Sequence, residues 1–276
     1  MSSPTIGRRE EFELNKYAIL ITCLFALTVV LILVSPPSLS DLRLLPAGLE
    51  TLAAGVAGWR ASRTFGGRRN FIGRILICFS LAVLGYTISA TATGLEDLQL
   101  ITAPSWLFES GLSNWIGVLA GCFSAYALVV SVRAVWGKYD HRTLLVVLFA
   151  LGLAFVVGWT NLVFADPVFG QTTVADTVLW VGLVPTLAFI QLASAILLLR
   201  FLGRWYAAKS LAILAFAYVF YSALIPLVTS LLALLLVQST SFDTAFFFIH
   251  LTVNAALYLV CLAMTQLRPR TTGPFY

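Results

Sequence analysis

Long apolar segments alternate with short polar ones along this chain. A helix needs about 20 apolar residues to cross the hydrocarbon core of a bilayer, and segments of about that length recur throughout. They predict eight transmembrane helices, at residues 17–34, 44–60, 71–92, 114–135, 143–164, 178–200, 208–237 and 244–266. The second is the weakest, because it is short, rich in Ala and Gly, and carries Glu50.

The positions of Lys and Arg orient these helices, because basic residues stay on the cytoplasmic side of a membrane protein. With eight spans, all but one of the 17 basic residues fall on the same side as the two chain ends, and only Arg43 falls on the other. A seven-span arrangement would place at least one basic cluster on the wrong side. The sequence therefore predicts an all-α polytopic protein of the cell membrane, an eight-transmembrane-helix bundle with both termini cytoplasmic.

This topology gives one membrane domain, 17–266, between cytoplasmic tails at 1–16 and 267–276. The composition agrees, with 60% hydrophobic and 11% charged residues against about 25% charged in soluble domains. The lipid bilayer is thus the first predicted partner. Nucleic acid is not, because the basic residues lie at helix ends and form no single stripe with interleaved aromatics. The arginines between Arg60 and Arg74 lie where they would meet anionic lipid head groups.

The sequence shows few groups suited to catalysis or metal binding. A haem with two histidine ligands needs facing histidines, and the only two are His141, in a predicted loop, and His250. The four cysteines fall on four predicted helices without a C-x-x-C pair, so they predict no zinc or iron–sulfur site. No nucleophile-elbow or zinc-protease motif occurs. We therefore predict no catalytic or metal-binding residues, and no cofactor bound by this chain alone.

One group of polar residues stands out in the last predicted helix. His250, Asn254 and Tyr258 recur every four residues, so they form one polar stripe. Counted from the predicted helix ends, Glu50 and His250 both lie about 9 Å deep from the outer side, and Tyr221 lies on the preceding helix. These five residues are the candidate ligand-binding site, for a quinone or a lipid head group. The alternative is that Glu50 and His250 pair and tie two helices together.

A second pattern concerns helix packing. Gly117, Gly121 and Ala125 follow one another at four-residue spacing in the fourth predicted helix. Such a face of small residues lets another helix approach closely, and we expect that helix to belong to the same chain.

The stretch GRILICFSLAVLGYTISATATGL, followed by SWLFESGLSNWIGVLAGCFSAYAL, resembles the multi-helix membrane input regions of prokaryotic sensor proteins. In those regions a helix ending in small or aromatic residues leads through a Pro-containing outer loop to the next helix. The resemblance covers residues 50–265 and implies a sensory membrane domain. Such sensors continue into a kinase or cyclase domain, so an output here would need a separate protein.

Three classes of function follow from these observations. The first is a non-catalytic integral membrane subunit that anchors or organises a larger complex with other membrane subunits, with electron transfer as the expected setting. The second is a receptor-like protein that binds a quinone or a lipid. The third is a small-molecule transporter, which ranks last because only Glu50 and His250 are ionisable well inside the predicted membrane region.

Overall fold

A computed structural model describes residues 4–34, 44–97, 112–135, 141–169, 174–202, 211–223 and 242–266. Every regular element within these residues is helical. We number the helices α1 (Pro4–Val34), α2 (Leu44–Thr64), α3 (Phe71–Asp97), α4 (Leu112–Val135), α5 (His141–Phe169), α6 (174–202), α7 (Leu211–Ala223) and α8 (Phe242–Thr265). Within α6, the six residues Val178–Leu183 form a π-helical stretch that precedes the α-helix Val184–Leu202.

Four of the described helices are long and apolar enough to cross a membrane, namely Asn15–Val34, Phe71–Thr93, Asn114–Ala134 and Val178–Arg200. Shorter apolar stretches lie in three further helices, at His141–Val156, Leu211–Ala223 and Leu251–Thr265. The chain is therefore a helical membrane protein, as its hydropathy pattern predicts.

Predicted and observed helix bounds agree best where an apolar segment has sharp polar borders. α3 and α4 begin within two residues of their predicted starts. α1 instead begins at Pro4, thirteen residues before its predicted start, and so includes most of the segment predicted as a cytoplasmic tail. The reason is that helix propensity does not require hydrophobicity: Glu, Leu, Arg and Lys, which make up much of that segment, are all good helix formers.

α2 packs against α1, α3 and α8, and more than half of its residues are buried. Its 21 residues make it about 31 Å long, enough to cross a bilayer, although it is not among the four strongly apolar helices. Small residues bring its neighbours close. A Cβ atom on Gly55 would lie 2.6 Å from Leu84 Cγ of α3, and one on Gly58 would overlap Met264 of α8. The α2 backbone therefore lies against both helices.

A tight turn joins α2 to α3. Gly66 and Gly67 have φ angles of 86° and 57°, a left-handed conformation that glycine adopts without strain. Asn70 then caps α3, since its Oδ1 accepts a hydrogen bond of 3.1 Å from the backbone N–H of Ile72. Gly73, in the first turn of α3, lies directly against the backbone of Gly67. This contact holds the 3-10 turn Gly67–Arg69 against the start of α3.

The main core lies where α2, α3, α4, α6, α7 and α8 meet, and its largest fully buried side chains include Tyr218, Phe79 and Leu128. α5 lies at one side of the described helices and packs against α6. Arg200 of α6 donates a hydrogen bond of 3.2 Å to Thr143 of α5 near one end of that contact.

Candidate functional site

Two groups of buried polar side chains lie in the interior of the described helices. The first, which we call the Glu50 pair, consists of Glu50 on α2 and Cys261 on α8. The second, which we call the Gln191 network, consists of Gln191 on α6, Ser124 on α4 and Ser222 on α7. Tyrosines of α3 and α7 lie between the two groups.

The Glu50 pair is enclosed by protein. Glu50 is 1% exposed and Cys261 is fully buried, and the carboxyl group of Glu50 lies beside the thiol of Cys261. Oε1 of Glu50 has no hydrogen-bond partner among the described residues. A buried polar atom without a partner costs about 1–3 kcal/mol, so such atoms mark places where a water, a proton or a ligand group would be favourable.

The Gln191 network connects three helices. Nε2 of Gln191 donates to Oγ of Ser124 at 2.8 Å and to the carbonyl oxygen of Gly121 at 3.2 Å. On the other end of the same amide, Oε1 lies 3.4 Å from Oγ of Ser222. Ser222 also donates to the carbonyl oxygen of Tyr218 at 2.7 Å, within its own helix. One amide side chain therefore ties α6 to both α4 and α7.

Three tyrosines link the two groups. Tyr86 of α3 contacts the polar groups of Ser124 and Gln191, and its ring centroid lies 5.8 Å from that of Tyr221. The Tyr221 ring in turn meets the ring of Tyr218 edge to face at 6.1 Å. Cys261 and Tyr218 belong to the same core cluster, and Tyr221 packs against it. Buried polar side chains therefore follow one another from α2, through α8, α7 and α3, to α4 and α6.

The hydroxyl group of Tyr218 resembles Oε1 of Glu50 in one respect. It is fully buried, in a residue with no exposed surface, and it has no hydrogen-bond partner in the described part of the chain. Nε1 of Trp115 is also buried and without a described partner, although its residue is partly exposed. Glu50 lies beside Cys261, and Cys261 and Tyr218 belong to one core cluster, so two of these three atoms lie in the same core.

Of the predicted stripe of α8, Tyr258 lies beside α1. The hydroxyl of Tyr258 lies 3.1 Å from Oγ1 of Thr22, and its ring stacks on Phe25 with centroids 4.3 Å apart. Asn254, one helical turn earlier, is half-buried. His250 lies in α8, but its side chain is outside the described part of the structure.

The relative position of α2 and α8 bears on the predicted contact between Glu50 and His250. Glu50 lies level with Cys261, which is eleven residues beyond His250, or about 16 Å along the helix axis. The pairing of Glu50 with His250 stays a prediction, while the described neighbour of Glu50 is Cys261. Tyr221, the fifth predicted residue, lies half-buried against Tyr86 and Tyr218.

The predicted small-residue face of α4 lies against two other helices of the chain. A Cβ atom on Gly117 would lie 3.3 Å from Oγ of Ser89 in α3, and one on Gly121 would lie 3.1 Å from Leu187 in α6. Ala125 is buried. The close approach at Gly121 brings its carbonyl oxygen within reach of Gln191.

Sequence reasoning missed Gln191, Ser124 and Tyr86, because it concentrated on ionisable side chains. A usable signal was present, since Gln191 lies in the middle of the apolar segment 178–200. A glutamine there must find partners on other helices, because lipid offers none. Among the residues the structure describes, no group of three or more His, Cys, Asp or Glu side chains is arranged to hold a metal ion.

The fold and these polar groups define a helical membrane protein with a hydrogen-bonded interior. No protein-family model, no curated protein and no solved structure matches this chain. Function must therefore be inferred from the geometry of the described helices.

Proposed function

We propose that this chain is an eight-span integral membrane protein with both termini in the cytoplasm, and that it is a non-catalytic subunit that anchors or organises a larger membrane complex. The observation that carries the proposal is the interlocked interior. Gln191 binds groups on two other helices, and small residues bring α2, α3, α4 and α8 into close contact. An interior held in this way favours one fixed shape, which is what an anchoring subunit requires.

The proposed setting is an electron-transfer complex, in which neighbouring subunits would carry the cofactors. The test is to purify the protein from its native membranes in mild detergent, identify the accompanying proteins by mass spectrometry and record the visible spectrum. We expect stoichiometric partner subunits with haem or iron–sulfur absorbance. If partner subunits co-purify without such absorbance, the result contradicts the electron-transfer setting but supports the anchoring role. A colourless protein that runs alone would contradict both.

The proposed topology has its own test. Eight spans place both termini on the same side, whereas seven would separate them. Fusions of a fluorescent protein and of alkaline phosphatase to each end report the side directly. We expect fluorescence and no phosphatase activity at both ends. Phosphatase activity at one end only would contradict the eight-span arrangement, and phosphatase activity at both ends would contradict the cytoplasmic placement of the termini.

A second candidate function is the binding of a small ligand with polar oxygen atoms, such as a quinone. The specific observation that favours it is the pair of unpartnered buried atoms, Oε1 of Glu50, which lies beside Cys261, and the hydroxyl of Tyr218, which lies in the same core cluster as Cys261. A ligand carbonyl would accept a hydrogen bond from the Tyr218 hydroxyl. In this role the protein would be receptor-like.

Variants of two tyrosines separate this candidate from a purely structural role. Tyr218→Phe removes a buried hydroxyl without a described partner, whereas Tyr17→Phe changes a tyrosine of α1 whose ring lies under Arg60. We expect Tyr218→Phe to bind a short-chain quinone about three- to tenfold more weakly, as the loss of one hydrogen bond implies, and Tyr17→Phe to bind it normally. Quenching of tryptophan fluorescence measures the affinity. Equal quenching of both variants and the parent protein would show that the quinone only partitions into the detergent micelle, and would rule out quinone binding at this site.

A further inference from the structure

A surface groove between α3 and α4 lies outside the polar interior. Its volume is about 340 Å³, and it is lined by Arg68, Phe71, Arg74, Ile75, Ile77, Cys78, Tyr126, Ala127 and Val130. Two of these residues are arginines and most of the others are apolar. The groove thus has a positively charged end and an apolar wall.

Local structure brings the two arginines together. Arg68 belongs to the 3-10 turn Gly67–Arg69, and Arg74 lies in the first turn of α3. The contact between Gly73 and the backbone of Gly67 holds that turn against α3. Both arginine side chains are exposed at this end of the helix. The position of the pair is therefore set by the backbone.

The electrostatic surroundings favour an anion. The segment 60–74 contains five arginines and no acidic residue. Of the five, Arg60 lies over the ring of Tyr17, 5.4 Å from its centroid, which leaves it outside the groove. Guanidinium groups bind phosphate oxygens in pairs of parallel hydrogen bonds, so two neighbouring arginines suit one phosphate group well.

The rest of the groove favours an acyl chain. Ile75 and Ile77 of α3 and Val130 of α4 line it along helices that are apolar enough to cross the membrane. A free phosphate ion would use the arginines and leave this apolar wall exposed. A phospholipid would cover both parts at once, because its phosphate lies at the membrane surface directly above its acyl chains.

We propose that this groove is a binding site for an anionic phospholipid of the bilayer, with Arg68 and Arg74 on its phosphate and the α3–α4 wall along an acyl chain. The proposal rests on the proposed topology in one respect, namely that this end of α3 faces the cytoplasmic leaflet, where anionic lipids give the surface its negative potential. In that orientation the site recognises a lipid the membrane supplies in abundance.

The test compares two double variants of equal net charge. Arg68→Gln with Arg74→Gln removes both groove arginines, whereas Arg63→Gln with Arg69→Gln removes two exposed arginines of the same segment that do not line the groove. Native mass spectrometry with added phosphatidylglycerol measures the bound lipid, and phosphatidylcholine is the neutral comparison. We expect the groove variant to bind phosphatidylglycerol roughly thirtyfold more weakly, as the loss of two basic residues near a lipid surface implies, and the control variant to keep most of the affinity.

A third variant tests the apolar half without changing charge. Val130→Trp fills the groove beside α4, so we expect it to weaken phosphatidylglycerol binding while both arginines stay in place. Equal loss in the two arginine double variants would show a diffuse charge effect and overturn the proposal. Displacement of the lipid by inorganic phosphate at equal concentration would assign the site to the free ion and also overturn it. The fusion reporters read the topology separately, so a failure of lipid binding and a failure of the eight-span arrangement are distinguishable.

Discussion

α2 and α5 differ in which side chains they bury and which they expose. In α2, leucines such as Leu45 and Leu49 are more than half exposed, while Glu50 and a series of Ala and Gly residues are buried. In α5, Leu145, Phe149 and other large apolar side chains are exposed, and the helix packs against α6. The less apolar of the two helices is the more deeply buried.

The difference has a physical cause. In a membrane, lipid tails solvate leucine as well as a protein interior does, so large apolar side chains gain little by turning inward. Small residues allow close backbone approach, and polar groups find partners only on other helices. Hydropathy along a membrane chain therefore reports which surfaces meet lipid, and low hydropathy at a helix such as α2 indicates protein on most sides.

The largest expected effect separates α2 from α5 at matched glycines. The Cβ atom of Gly55→Leu in α2 must displace Leu84 of α3, whereas the Cβ atom of Gly152→Leu in α5 has no neighbour within 4 Å among the described residues. Both changes raise helix propensity equally, so packing alone distinguishes them. We expect Gly55→Leu to lower the free energy of unfolding by about 3 kcal/mol and Gly152→Leu to leave it unchanged or slightly raised. Thermal denaturation in detergent measures both. Similar melting temperatures for the two variants would mean that α2 does not lie against α3 as described.

A smaller effect is expected at α6, which lies between the interior and α5. Gln191→Leu removes the amide that joins Ser124, Gly121 and Ser222, leaving their polar atoms with fewer partners. We expect a loss of about 1–2 kcal/mol, near the upper end for hydrogen bonds between membrane helices. The control is Thr186→Val on the same helix, whose exposed hydroxyl bonds only to its own helix, at 2.7 Å from the Gly182 carbonyl.

Equilibrium unfolding in mixed detergent micelles measures this difference. If the hydrogen bonds of Gln191 contributed nothing to stability, leucine would replace it without loss. An unchanged unfolding curve for Gln191→Leu would therefore refute the role of Gln191 in joining α4, α6 and α7. A loss in both variants would point to the helix itself and not to the network.

The smallest effect concerns the exposed leucines of both helices. Leu148 of α5 is 52% exposed and Leu52 of α2 is 41% exposed. Replacing either by Ala leaves lipid or detergent in place of the lost atoms, so we expect less than about 0.5 kcal/mol of destabilisation in the purified protein. The informative measurement is co-purification of partner subunits. If Leu148→Ala releases a partner and Leu52→Ala does not, the outer face of α5 contacts another subunit, which would sharpen the anchoring proposal.

Part of the fold was predictable because it follows from local properties. The segments that became α3 and α4 were found within two residues of their observed starts, since each is an apolar segment bordered by polar residues. The early start of α1 at Pro4 was missed, because polar helix formers carry no hydropathy signal. Tyr221 was singled out from the sequence as a candidate ligand-binding residue, which stays a prediction, whereas Gln191 was overlooked, although both lie in apolar segments.

The contact between Glu50 and Cys261 shows why the rest was not predictable. Depths counted from predicted helix ends placed Glu50 level with His250, because such counting assumes that neighbouring helices begin at the same height. In the structure the described neighbour of the Glu50 carboxyl group is Cys261, while its contact with His250 stays a prediction. Which residues of α2 and α8 face each other depends on the surfaces of both helices, as at Gly58, where a Cβ atom would overlap Met264.

By itself, the sequence determined that this protein is helical and belongs in a membrane, since hydropathy and helix propensity are properties of single segments and need no knowledge of neighbours. Only the tertiary structure decided that α2 is buried among α1, α3 and α8, that Gln191 joins three helices, and that Arg68 and Arg74 stand at one end of a groove. These arrangements arise from the fit between helix surfaces. That fit depends on the shapes of residues far apart in the chain, and no segment carries it alone.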